Sequence, residues 1–249
     1  MEYYGLLSNR IKIYRDNANC FKCIVMYQKH RNVLQYKESK CIHTMHFGHV
    51  SMYFLWITAP RCSKRNDLQG VCSEIPGDAN LYTLFRVDGH PIRCPFGTDH
   101  GFRFSYNRGK GDCQWPQSEL EPCMDTSKLL LNYQACPNVQ GSELMSKFPF
   151  SKVASFCSWW NTFVITLGER LECQAEWRDG SRHFLVGKLD HPHATTDEDK
   201  FRCFVYEYRD PLRPLEGIDL AQSGDATCNG LFSPHEGSRT LRLNKGNRV

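Results

Sequence analysis

Apolar and polar residues alternate in short runs along this chain, and no long run repeats with the three-to-four spacing of a helix. Leu171, Cys173, Ala175 and Trp177 alternate with Glu172, Gln174 and Glu176. That period of two predicts a half-buried strand with Trp177 in the core. Residues 178–181 (RDGS) supply an Asp-Gly turn, and residues 183–189 (HFLVGKL) return as the partner strand. Phe102, Phe104 and Tyr106 share one face before the turn at 107–111 (NRGKG), and Leu129, Leu131 and Tyr133 do the same before Cys136. Residues 201–208 (FRCFVYEY) are apolar on both faces, as in a central strand. Nearer the N-terminus, residues 23–27 and 33–37 predict two strands around a turn at 28–32.

Short runs punctuated by Gly, Pro, Asn and Asp predict an all-β, mostly antiparallel fold built as a small barrel or sandwich. Boundaries are expected near the DGHP run at 88–91 and in the Pro-rich stretch at 209–217 (RDPLRPLEG). The expected modules are 1–88, 89–209 and 210–249, the last being the start of a third, truncated module. The pattern CxxxY, turn, VL at 23–34 echoes CxxxW, turn, FL at 173–185. Two related modules or two ordinary hairpins both account for it.

Cysteine changes the picture more than overall composition does. Apolar residues make up 41% and charged residues 23% of the 249, ordinary for a globular protein. A formal charge of +4 with the two signs interleaved gives no basic stripe for nucleic acid. Arg239, Arg242, Lys245 and Arg248 read as a solvated basic end. Thirteen cysteines are spread along the chain, most of them standing alone. Such spacing suits bridges between distant strands in an oxidising compartment. The one C-x-x-C pair, Cys20 and Cys23, could join Cys41 and His43 in a tetrahedral zinc site. An intracellular zinc-binding regulatory protein is therefore the rival to an extracellular reading. The run at 191–199, with His191, His193 and acidic residues after them, reads as a surface loop rather than a cation site.

No catalytic signature assembles: the chain has no G-x-S-x-G, phosphate-binding loop or H-E-x-x-H. No enzyme activity, resident cofactor or catalytic residue is expected, and a secreted hydrolase with a spatially assembled site is the least favoured reading. Residues 1–17 carry no apolar core of a signal peptide, so the chain is expected to be a fragment beginning downstream of one. Any membrane attachment is expected to come through segments outside it.

Several whole segments resemble one group of proteins. These are 20–41 (CFKCIVMYQKHRNVLQYKESKC), 71–86, 94–139, 171–189, 200–208 and 221–243. They are similar to arthropod secreted or cell-surface proteins built from tandem cysteine-rich domains of unknown function. The resemblance implies an extracellular protein with no site residues to carry over. Two stretches, about 43–64 and 144–168, depart from that pattern and are expected to be insertions foreign to the fold. With Cys62 and Cys157 set aside there, Cys20, Cys23, Cys41 and Cys72 make four disulfide candidates in the first module. Cys94, Cys113, Cys123, Cys136, Cys173 and Cys203 make six in the second. Connectivity stays open, and Cys228 is expected to lack a partner. The function expected is interaction or adhesion through surface loops, with a protein or glycan ligand.

Overall fold

The computed structural model describes residues 2–4, 11–15, 21–39, 42–43, 60–61, 70, 72–73, 75–86, 88–96, 101–142, 168–190 and 196–246. The fold is mostly antiparallel β, with one four-residue helix at Asp197–Lys200 among the described residues, and forms two compact units. The first unit takes in residues 1–29 and 33–84, the second residues 30–32 and 85–249.

In the first unit a five-stranded sheet runs β1 (Glu2–Tyr4), β2 (Ile11–Arg15), β3 (Phe21–His30), β4 (Val33–Glu38) and β7 (Tyr82–Phe85), in that order. β3 extends to His30, so its turn to β4 is two residues rather than the five expected. The strand ends are tied by Ser39, whose hydroxyl accepts from the Cys23 N–H at 3.1 Å while its own N–H donates to the Cys23 carbonyl. Two short strands, β5 (Ile42–His43) and β6 (Pro60–Arg61), pair at the base of the first departing stretch. The rest of that stretch lies outside the described residues.

The second unit is a closed barrel of eight strands. β8 (Phe102–Asn107), β9 (Asp112–Pro122), β10 (Lys128–Asn132), β11 (Gly168–Asp179), β12 (Arg182–Asp190), β13 (Phe201–Tyr208), β14 (Gly217–Gln222) and β15 (Arg239–Lys245) each pair with the next. β15 then closes on β8, with Leu241 opposite Tyr106 and Leu243 opposite Phe104. Residues 210–249, expected to open a third module, thus supply the last two staves. The second departing stretch connects β10 to β11, which are adjacent and paired through Asn132 and Gly168. Nearly all of it lies outside the described residues.

Alternation places one face of each strand inside. Phe102, Phe104, Leu120, Leu129, Leu131, Leu171, Leu185, Leu189, Phe204, Ile218, Leu220, Leu241 and Leu243 form one buried cluster. Eight strands enclose a space about as wide as packed side chains need. Gly187 shows how tight the fit is, because a Cβ there would come within 2.3 Å of Leu171 Cδ1. Residues 91–96 lead into β8, and Phe96 meets Tyr206 edge-on at 4.7 Å in the same cluster.

One irregularity matters more than any loop. Cys173 pairs with Gly187, but Ala175 pairs with Val186, so Gln174 is an extra residue on β11. Such a bulge switches which side chains face inward beyond it. Glu176, opposite Leu185, turns into the barrel, and Trp177, opposite Phe184, turns out. Trp177 is only half-buried, stacked on Phe184 at 5.4 Å with the rings 7° from parallel. The expectation that it fills the core is corrected: the period of two is real, but the bulge breaks its phase. Main-chain pairing lost at the bulge is made up by Asn32, whose Nδ2 donates to the Gln174 carbonyl at 2.7 Å.

Candidate functional site

The cysteines are used as bridges. Cys23 bonds Cys72, Cys94 bonds Cys173, Cys113 bonds Cys136 and Cys203 bonds Cys228. Cys123 is also disulfide-bonded. Cys20 and Cys41 lie outside the described residues. Cys228 therefore does have a partner: the loop after β14 brings it back to Cys203 on β13, inside the barrel unit rather than in a new module. The zinc reading of Cys20, Cys23, Cys41 and His43 is not favoured by the same chemistry. Cys23 spends its sulfur on Cys72 and has no thiolate to offer a metal. Among the described residues no group of three or more His, Cys, Asp or Glu could hold a metal ion. Bridges at this density belong to an oxidising compartment. No helix among the described residues is long and apolar enough to cross a membrane.

Two polar clusters sit inside the barrel. Arg239, expected as part of a solvated end, is 8% exposed. Its guanidinium grips Glu169 with both nitrogens, at 2.7 and 3.3 Å, and donates to the Tyr133 hydroxyl at 2.6 Å. This ties β15 across the interior to β11 and to the residue that follows β10. Burial pushes the Tyr133 phenol above its ordinary pKa, against the pull of the nearby guanidinium. The second cluster is the product of the bulge. Tyr206 donates its hydroxyl to Glu176, with Tyr208 set edge-on to Tyr206 at 5.6 Å and His183 stacked over Tyr206 at 5.0 Å. Burial, then the carboxylate bond, raise the Tyr206 pKa. Both carboxylates are held by protein partners.

The outer wall is different. A groove of about 290 Å³ crosses β14, β15, β8 and β9, lined by Asn107, Asp112, Gln114, Asp219, His235 and Arg242 among others. Alternation explains the set: between the inward Tyr106, Cys113, Leu220 and Leu241 stand outward polar residues. Asn107 fixes one rim, donating to Asp112 at 2.7 Å and accepting from the Gly109 N–H at 2.7 Å. Asp219 lies between the guanidinium groups of Arg209 and Arg242, at 3.7 and 3.8 Å. His235 is presented by a tight turn in which Glu236 N–H donates to the Ser233 carbonyl.

Beside this groove β9 bulges again. From Tyr106 back to Phe104, β8 advances two residues while β9 goes from Cys113 to Ser118. The surplus pushes out Trp115, which is 77% exposed and is followed by a cis bond to Pro116. A smaller cleft of about 160 Å³ lies on the other side of the β8–β9 turn, with Arg108, Lys110 and Gln140 on its walls. From the sequence Arg242 reads only as part of a solvated basic end and Trp115 as a core aromatic; the structure puts Arg242 in the groove wall and leaves Trp115 exposed. One signal was available: a Pro inside an alternating run marks a bulge or an edge, and Pro116 sits in such a run.

Residues 90–245 match a family model described as "Domain of unknown function (DUF7042)", and residues 6–52 match a second, "Domain of unknown function (DUF7044)". No curated protein matches the chain, and no solved structure matches it.

Proposed function

We propose, on the premise that this chain belongs to the DUF7042 domain family, that it is an extracellular recognition module which holds its ligand on the outside of the barrel. One observation carries this reading: the interior, which in other eight-stranded barrels can hold a small ligand, is here filled by Phe104, Phe204, Leu241 and their neighbours. The disulfides support an extracellular setting, and they stiffen the scaffold that carries the groove and Trp115. Secretion or display at a cell surface both fit. In this reading the protein binds and does not catalyse, because Glu169 and Glu176 are engaged by Arg239 and Tyr206.

The test uses the full chain made in an oxidising secretory host. Arrays of ectodomains and glycans are probed with wild type and with a Trp115→Ala, Arg242→Ala double variant. Binding lost in the variant, with the melting curve unchanged, supports the exterior site. Binding that survives the variant, or is displaced by an apolar small molecule entering the barrel, overturns it.

A further inference from the structure

We propose that the groove across β14, β15, β8 and β9 takes a neutral oligosaccharide, with the Trp115 indole as the platform for one sugar ring. The inference rests on the exterior-recognition reading and names the ligand class of that site. Three features of the groove point the same way.

The first is its hydrogen-bonding chemistry. Asp112, Gln114, Asp219 and Arg242 offer planar groups with donors and acceptors side by side. A sugar hydroxyl both donates and accepts, so adjacent hydroxyls match such a lining. Anionic ligands suit it poorly, because the two carboxylates offset the Arg242 guanidinium. The second feature is Trp115, one residue along from Gln114 and 77% exposed. A hexose presents a face of C–H groups that needs a flat apolar partner, and an indole supplies a large one with little conformational freedom to lose. The bulge bearing Trp115 is anchored on one side by the Cys113–Cys136 bridge and on the other by Ser118, fully buried and accepting from the Gln134 N–H at 3.0 Å.

The third feature argues against an extended peptide. Every barrel strand is paired on both sides, so the barrel has no free strand edge to which a peptide backbone could add. The groove lining is also mostly polar, with Tyr106, Pro234 and Leu241 as its apolar members, whereas most protein interfaces centre on buried apolar pockets.

The experiment is a titration of the isotope-labelled full chain with neutral tri- and tetrasaccharides of glucose, galactose, mannose and N-acetylglucosamine, followed by NMR and Trp fluorescence. Saturable shifts at Asp112, Gln114, Trp115 and Arg242, with Kd of about 1 mM or tighter, are expected. Trp115→Ala should weaken binding about tenfold or more, the scale of an aromatic anchor, and Gln114→Ala should weaken it less. Trp115 is exposed, so its loss should leave the melting temperature unchanged. Failure of every neutral sugar, with a peptide or ectodomain binding in a Trp115-dependent manner, overturns the saccharide and leaves the exterior reading standing. Binding of sulfated sugars alone, at Arg108 and Lys110 and weakened by salt, also overturns it. Ligands of any class that ignore all the groove variants sink both.

Discussion

Glu169 and Glu176 lie on the same strand, both turn into the barrel, and they meet opposite partners. Glu169 is clamped by a guanidinium, whereas Glu176 receives a phenol hydroxyl. A regular strand could not place both inside, because residues an odd number apart face opposite ways. The Gln174 bulge makes the difference. Glu169 therefore belongs to the regular alternation and is neutralised by charge. Glu176 belongs to the irregular part and is kept partly wet among tyrosines. The comparison teaches that this barrel tolerates interior carboxylates in two ways. One locks the strands across the interior, and the other sits where the bulge turns an extra carboxylate inward.

The lock should cost most to break. Arg239→Met leaves Glu169 and the Tyr133 hydroxyl without their partner in a buried site, and should destabilise by about 3–5 kcal/mol. Urea denaturation of the purified chain measures it. A loss under about 1 kcal/mol would mean the pair is solvated and unlike the buried pairs on which that range rests.

Tyr206→Phe should cost less, about 1–3 kcal/mol, because Glu176 keeps some access to water. The two tyrosines also predict a pH dependence. Both phenols keep their protons in the fold above the usual value of about 10, Tyr133 through burial and Tyr206 through burial and the carboxylate. The unfolded chain ionises first, so the native state binds more protons there, and stability falls as pH rises beyond about 10. That part of the stability is fully present below about 10. Tyr206→Phe should flatten the alkaline loss seen by thermal melting; an unchanged slope would detach Tyr206 from it.

Trp177 tests the bulge itself. Outside the barrel and stacked on Phe184, it should contribute roughly 0.5–1.5 kcal/mol beyond its partial burial. Phe204→Ala, by contrast, empties a core position and should cost about 3–5 kcal/mol. Equal losses for Trp177→Ala and Phe204→Ala would place both rings inside and abolish the phase change at Gln174.

The smallest effect belongs to a carboxylate outside the barrel. Asp125 in the β9–β10 turn has its pKa held down to about 2, first by Lys128 and then by Ser127. A depressed pKa contributes stability above the unfolded value of about 3.9, lost as pH falls toward 2. Asp125 is exposed, so solvent screens most of that contribution. Asp125→Asn should remove only a slight slope in acid melting between about pH 4 and 2. A large change there would show that the turn, and not the interior, governs acid stability.

Much of this molecule can be read locally. The hairpin around the Asp-Gly pair, with Gly180 at φ 65°, the buried β13, and the shared faces of Phe102, Phe104 and Tyr106 follow from nearest-neighbour patterns. So does the use of cysteine as bridges, because spacing and number already argue against thiolates. The period of two says that a strand has two faces, but not which face is inside once a residue is inserted. Gln174 looks like any other member of its run, and only pairing with β12 and the Asn32 bond reveal it as the extra residue. Arg239 and Cys228 were misread for the same reason. Closure of the barrel brings Glu169 to Arg239, and the loop that folds back after β14 brings Cys228 to Cys203 on the neighbouring β13. The groove likewise draws its wall from β8, β9, β14 and β15, strands that meet only at that seam. Local pattern determines which residues can line a wall, and closure of the sheet decides which of them stand together.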